Sequence, residues 1–68
     1  MRWAIVIEKS ADGYGGYAPD FPGLGVVGDS PAEVRRLLRE ALELYLEELA
    51  TDRTPSPQPQ TAVEYVEL

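Results

Sequence analysis

The sequence predicts a small α+β domain in which one helix covers one face of a mostly antiparallel sheet. Three observations support this prediction: an apolar segment at residues 3–8, a proline-glycine turn before residues 25–28, and one long amphipathic segment after them. With a last strand at 62–68, the element order is β-β-β-α-β. A right-handed crossover through the helix would bring the last strand parallel beside the first, so the predicted sheet order is 3-2-1-4.

The first two strands are predicted to form a hairpin. Residues 3–8 are rich in β-branched and aromatic side chains and apolar on both faces, as in an inner strand. Residues 11–13 have turn chemistry, and residues 15–18 return antiparallel until Pro19, which has no backbone donor. Pro22 and Gly23 then form a pair typical of a type II turn, because proline fixes φ and glycine tolerates a positive φ. The short third strand is predicted at 25–28.

The helix has a strong start signal. Ser30 is suited to the N-cap, Pro31 to the first helical position, and Glu33 to a capping box. The apolar residues of one helix face are Val34, Leu37, Leu38, Ala41, Leu44, Tyr45 and Leu49, widened by Leu42 and Leu46. The resulting arc of roughly 200° exceeds the ~100° needed to cover one side of a small sheet. Leu42 and Leu46 are therefore candidates for an oligomer interface, the alternative being that the domain itself half covers them.

The part of the chain after the helix is predicted to be a connector and an edge strand. Residues 51–61 contain three alternating prolines, which remove backbone donors and favour an extended path. Residues 62–68 mix β-forming residues with charges on both faces, as expected of an edge strand that avoids aggregation. Residues 1–68 are thus predicted to form a single domain.

Composition limits how this domain can be stabilised. A chain of 68 residues buries only about 60% of its unfolded surface on folding, which leaves its stability marginal. The chain contains no cysteine and no histidine, which excludes disulfides and the usual zinc sites. We expect no cofactor, and we expect self-association into a dimer or tetramer.

The charge balance favours a basic protein partner. Twelve acidic residues against six basic ones give a formal net charge of −6, which repels nucleic acid phosphates. The alternative is that the acidic balance only keeps the protein soluble. The apolar run at 3–7 is too short for a signal peptide core or a membrane span, so we expect a cytoplasmic protein with no membrane association.

The segment 19–33 resembles the signature of the HicB family. The shared positions are Pro19, Asp20, Phe21, Pro22, Gly23, Gly28, Asp29, Ser30 and Glu33. One departure is Leu24, where the family often has a cysteine, so no thiol chemistry is carried over. The resemblance spans nearly the whole chain. It implies a partial ribonuclease H-like fold and an antitoxin that is not an enzyme, with a HicA-type toxin, a small basic ribonuclease that cleaves messenger RNA, as its partner.

The mechanism expected from this resemblance is occlusion of the toxin's basic RNA surface, with charge complementarity steering association. The candidate partner-binding residues are Tyr14, Tyr17, Asp20, Phe21 and Pro22, because exposed aromatics on a rigid turn beside an acid make a suitable contact patch. The alternative for these residues is hairpin packing and turn formation.

Three other functions are less well supported by the residues. A metal-dependent ribonuclease H-like nuclease would need clustered carboxylates, with Glu8, Asp20, Asp29 and Glu33 as candidates, but turn and capping roles explain each of them better. Direct nucleic acid binding is not expected, because Arg53 is the only basic residue among residues 51–68. The remaining rival is an oligomeric binding or scaffold domain without a toxin. A neighbouring reading frame for a short basic protein would favour the antitoxin.

Overall fold

The computed structural model describes residues 1–68 and has three strands followed by one helix. The elements are β1 (Val6–Ser10), β2 (Gly13–Tyr17), β3 (Gly25–Gly28) and α1 (Pro31–Thr51). β2 lies in the middle of the sheet and pairs antiparallel with both neighbours, which gives the order β1-β2-β3. The α+β class is confirmed.

The predicted order 3-2-1-4 is not confirmed, because residues 62–68 form no strand and are exposed along their whole length. The physical reason lies in the segment's own pattern. Its charges fall on both faces, so neither face presents a continuous apolar stripe to the helix, and no local signal fixes its pairing with β1.

The hairpin is shifted along the chain from its predicted position. Residues 3–5 precede β1, which extends to Ser10, and β2 begins at Gly13. The pair Ser10–Gly13 closes a two-residue loop of Ala11 and Asp12. Because a two-residue loop fixes the register of both strands, the turn and not the apolar run sets where the strands begin and end.

The two local signals after the hairpin are confirmed. At the turn, the Leu24 N–H donates to the Phe21 carbonyl at 3.2 Å, and Gly23 has φ +83°, as a type II turn requires. At the helix start, Ser30 Oγ accepts from the Glu33 N–H at 3.1 Å. The Glu33 carboxylate accepts from the Asp29 N–H at 3.0 Å, one residue before the donor used in a standard capping box.

The core is small and centred on Phe21. The buried apolar side chains are Ala18, Phe21, Val34, Leu38 and Leu42, with Gly16 buried beside them. The Phe21 ring meets Trp3 and Tyr45 edge to face, with ring centroids 4.8 Å and 5.4 Å apart. These contacts join the segment before β1, the turn and the helix in one aromatic cluster.

One face of the sheet has no covering layer. Positions for a Cβ on Gly16 and on Gly28 point at Val34 of α1, so these residues face the helix. Side chains alternate along a strand, and Tyr17 and Val27 therefore point to the open face. Their exposed fractions are 44% and 80%.

α1 is not apolar enough to cross a membrane.

Candidate functional site

The best candidate for a partner-binding site is an aromatic surface around the type II turn. Residues 22–25 separate two shallow depressions. The first, about 400 Å³, is lined by Tyr17. The second, about 310 Å³, is lined by Tyr45 of α1. We call Tyr17, residues 22–25 and Tyr45 the turn surface.

Only part of the predicted contact patch lies on this surface. Tyr17 and Pro22 are exposed and line the same depression. Phe21 is 1% exposed and holds the turn to the core instead of facing solvent. Tyr14 lies at the opposite end of β2, on the helix side of the sheet, where Lys9 Nζ is 5.0 Å from its ring centroid. The structure brings together Tyr17 and Pro22 and separates them from Tyr14.

Asp20 has a structural contact in this region. Its Oδ1 accepts a hydrogen bond from Thr61 Oγ1 at 3.0 Å, and its Oδ2 is buried without a hydrogen-bond partner. Thr61 is the last residue of the predicted connector. Asp20 thus ties the end of the connector to the turn and is half-buried beside the turn surface.

Tyr45 was not among the predicted contact residues. It is 38% exposed, and its ring stands perpendicular to that of Phe21. This packing fixes the ring while leaving one side of it at the surface. The sequence could indicate Tyr45 as a surface aromatic, because a tyrosine within the apolar arc of a helix commonly has a buried ring face and a solvated hydroxyl.

A second surface of interest is the acidic helix end, which we define as Glu47, Glu48 and Asp52. These residues line a depression of about 320 Å³ together with Leu44, which is 58% exposed. The last turn of α1 contains no basic residue. The negative end of the helix dipole adds to this charge.

Acidic residues earlier in the helix are partly neutralised. Arg36 pairs with Glu40 at 3.0 Å and Arg39 with Glu43 at 3.1 Å. These two exposed pairs match the spacing expected from the sequence, and such pairs contribute at most about 0.5 kcal/mol each. The unneutralised charge of α1 is therefore concentrated at its C-terminal end.

The carboxylates considered for a nuclease do not form a metal cluster. The Glu33 carboxylate accepts a hydrogen bond from the Asp29 N–H at the helix start, and the Asp20 carboxylate accepts one from the Thr61 hydroxyl. No three acidic residues lie close enough to hold one metal ion. The contacts of Asp29, Glu33 and Asp20 are hydrogen bonds at the helix start and to the connector.

Leu42 and Leu46, the predicted oligomer residues, lie on α1 beside the segment that precedes β1. Leu42 is 8% exposed and Leu46 is half-buried. They help to line a groove of about 370 Å³ between the helix and the segment before β1. We call it the β1 groove; its lining residues are Met1, Trp3, Ile5, Arg35, Leu38, Arg39, Leu42, Glu43 and Leu46.

Comparison with known proteins gives a family match over most of the chain. The family profile described as HicB-like antitoxin of bacterial toxin–antitoxin systems matches residues 3–67. A UPF0150 protein of Archaeoglobus fulgidus is 46% identical over 50 residues, which are 69% of this chain and 70% of that protein. A UPF0150 protein of Synechocystis is 33% identical over 58 residues, covering 84% of this chain and 73% of that protein.

Other relatives extend beyond the matched region. A UPF0150 protein of Thermotoga maritima is 60% identical over 35 residues, 52% of this chain and 47% of its own length. An uncharacterized 14.9 kDa protein of Haemophilus phage HP1 is 32% identical over 66 residues, 97% of this chain but only 50% of the phage protein. The chain thus spans about half the length of these two relatives. No solved structure matches.

Proposed function

The chain belongs to the HicB-like antitoxin family of bacterial toxin–antitoxin systems, and on this basis we propose that it binds and neutralises a small basic HicA-type toxin in the cytoplasm. The observation that carries the proposal is the family match over residues 3–67. The antitoxin acts by occlusion: it covers the basic surface with which the toxin holds messenger RNA. The chain itself performs no chemistry in this role.

The charge of the chain supports this partner. The formal net charge is −6, and the acidic helix end has no ion-pair partners. A basic ribonuclease surface is attracted to such a region, and this attraction raises the association rate more than the final affinity. We therefore assign steering to the acidic helix end.

The turn surface supplies the contacts that hold the complex. Interface energy is concentrated in a few aromatic or arginine side chains held in fixed positions. Tyr17 and Tyr45 fit this description, because both are partly exposed and flank a turn that Phe21 anchors in the core. Pro22 adds a rigid apolar contact between them.

The partial ribonuclease H-like arrangement belongs to the same proposal. Three antiparallel strands with a helix on one face are compatible with it. The arrangement further requires a strand beside β1, the edge that is unoccupied in the single chain.

The test begins with the product of a small basic reading frame beside the gene for this chain. We expect a stoichiometric complex by calorimetry, and we expect RNA cleavage by the purified toxin to stop when one equivalent of the chain is added. Formation of a complex that still cleaves RNA would exclude occlusion. Absence of any complex would favour the oligomeric binding or scaffold domain without a toxin.

Paired variants test the surface. The double variant Tyr17→Ser/Tyr45→Ser is expected to weaken toxin binding by at least about tenfold, since contact residues of this type each commonly contribute more than 1 kcal/mol. Tyr14→Ser is the matched control, because it removes the same type of side chain at the opposite end of β2. Equal loss of binding in both variants, with folding intact by circular dichroism, would place the contact elsewhere.

A further inference from the structure

The segment 62–68 has the composition of a strand but no partner in the single chain. It forms no ladder hydrogen bonds, and all of its residues are exposed. Val63, Tyr65 and Val66 are 57%, 93% and 82% exposed, although β-branched and aromatic residues are favoured where they can pack on a sheet. Several large apolar side chains exposed so close together indicate an interaction site.

The edge of β1 offers a place for such a strand. β1 pairs only with β2, so its outer edge presents unpaired backbone donors and acceptors. The β1 groove adjoins this edge: it lies between the helix and residues 1–5, which lead into β1, and it is lined by six apolar side chains, among them Trp3, Ile5 and Leu46. A strand added there would satisfy the backbone groups of β1 and insert alternate side chains into the groove.

The charges of the two parts are complementary. Arg35, Arg39 and Glu43 line the β1 groove; Arg39 is paired with Glu43, so Arg35, which is in no ion pair, supplies the positive charge of the groove. The segment 62–68 contains Glu64 and Glu67 and no basic residue. Alternation in an extended strand puts Glu64 on the side opposite Glu67, so in either orientation one carboxylate faces the helix side where Arg35 lies.

We propose that the segment 62–68 of one copy adds as a fourth strand to the β1 edge of a second copy, with the apolar side chains of one of its two faces in the β1 groove. The exchange is reciprocal, so one twofold dimer fills both grooves and pairs both segments. The exchange also adds apolar side chains to a core that has five buried apolar side chains in the single chain. A core of this size limits the stability of a small domain.

The shape of the single chain favours exchange with a second copy over pairing within the chain. The hydrogen bond from Thr61 to Asp20 holds the start of the segment at the domain surface, and every residue from Thr61 to Leu68 is exposed. The radius of gyration is 13.2 Å, whereas a compact chain of this length has about 11 Å. The longest dimension is 42 Å against 27 Å and 17 Å for the others.

The first experiment measures the mass of the purified chain by light scattering during gel filtration. We expect at least twice the mass of one chain for the native protein and the mass of one chain for the triple variant Val63→Ser/Val66→Ser/Leu68→Ser. Val27→Ser is the matched control: it removes a side chain that is 80% exposed but lies outside the β1 groove, and its mass should equal that of the native protein. A native chain that is monomeric, or a triple variant that keeps the native mass, would overturn the proposal.

The second experiment separates reciprocal exchange from other kinds of association. Arg35 is exposed, so Arg35→Glu reverses the charge of the groove without removing a core side chain. Leu46→Asp places a charge in the apolar part of the groove and should weaken strand binding more strongly. Either groove variant alone should be mainly monomeric, as should the triple variant of the segment. A mixture of a groove variant with the triple variant should form a heterodimer, because one intact segment meets one intact groove. Failure of the mixture to associate, with both variants folded, would exclude exchange.

Discussion

At the scale of single residues, Gly16 sets how closely the helix approaches the sheet. A Cβ added to this residue would lie 2.5 Å from Val34 Cγ1 and 2.9 Å from Leu38 Cδ1. Both neighbours are fully buried, so they have little freedom to move away. The helix therefore packs against backbone at this position, and a side chain there would push the two layers apart.

We predict that Gly16→Ala lowers the free energy of unfolding by about 1–3 kcal/mol, the usual cost of overpacking a core. Urea denaturation followed by circular dichroism measures this change. Gly15→Ala is the matched control on the same strand, because its Cβ would meet only the Val26 carbonyl oxygen, at 3.8 Å. Equal destabilisation by the two substitutions would show that loss of glycine itself, and not contact with α1, is responsible.

Gly23 is constrained by its backbone and not by its surroundings. Its φ is +83°, and no atom lies within 4 Å of the position that a Cβ would occupy. We predict that Gly23→Ala costs about 1–2 kcal/mol from backbone strain alone, visible as a lower melting temperature. Gly23→Asn should cost less, because asparagine tolerates this conformation better. An asparagine variant as unstable as the alanine variant would contradict this explanation.

At the scale of elements, the start of α1 depends on a short run of residues that bind one another. Ser30 accepts the Glu33 N–H, and Glu33 in turn accepts the Asp29 N–H. We predict that Ser30→Ala lowers the free energy of unfolding by about 1 kcal/mol, the usual value for loss of an N-cap. Thermal denaturation measures it. Arg36→Ala, which breaks an exposed ion pair on the same helix, should have a clearly smaller effect; the reverse order would argue against the cap.

The elements that could be predicted from sequence are those whose causes are local. The N-cap at Ser30, the type II turn at Pro22 and Gly23, and strand β3 depend on a few adjacent residues, and all three are confirmed. The ends of β1 depend on the loop of Ala11 and Asp12, which outweighs the apolar run at 3–5. The fourth strand depends on pairing with a distant edge, and the single chain does not confirm it.

The residues of the candidate site also divide into those whose positions have local causes and those whose positions depend on tertiary packing. Pro22 is exposed on its turn as the local pattern indicated. The burial of Phe21 and the exposure of Tyr45 follow from how the helix crosses the sheet, which residue spacing alone does not specify. Tyr14 and Tyr17 are three positions apart on the same strand. Because successive side chains alternate between the two faces of a sheet, these two point to opposite faces.

At the scale of the whole molecule, the distribution of charge sets how a basic partner approaches. The formal net charge is −6, and the acidic helix end carries its charge without ion pairs. We predict that the association rate with the toxin falls by about tenfold or more when salt rises from about 0.05 M to 0.5 M, while the dissociation rate changes little. Stopped-flow mixing measures both rates.

A variant locates the source of this steering. Glu47→Gln/Glu48→Gln removes two charges from the acidic helix end and should reduce the salt dependence of the association rate. Glu8→Gln/Asp12→Asn removes the same number of charges from exposed positions of the hairpin, away from the acidic helix end and the β1 groove, and is the matched control. An association rate that is equal at low and high salt for the native chain would show that charge does not steer the encounter.

The intrinsic fluorescence of Trp3 reports on both the β1 groove and the core. It is the only tryptophan in the chain, half-buried, with its ring edge to face against Phe21 and one side lining the β1 groove. Indole emission moves to shorter wavelength when water is removed from the ring and to longer wavelength when the ring becomes fully hydrated. Filling of the groove and unfolding of the core should therefore shift the fluorescence in opposite directions, so that one unlabelled sample distinguishes the two events.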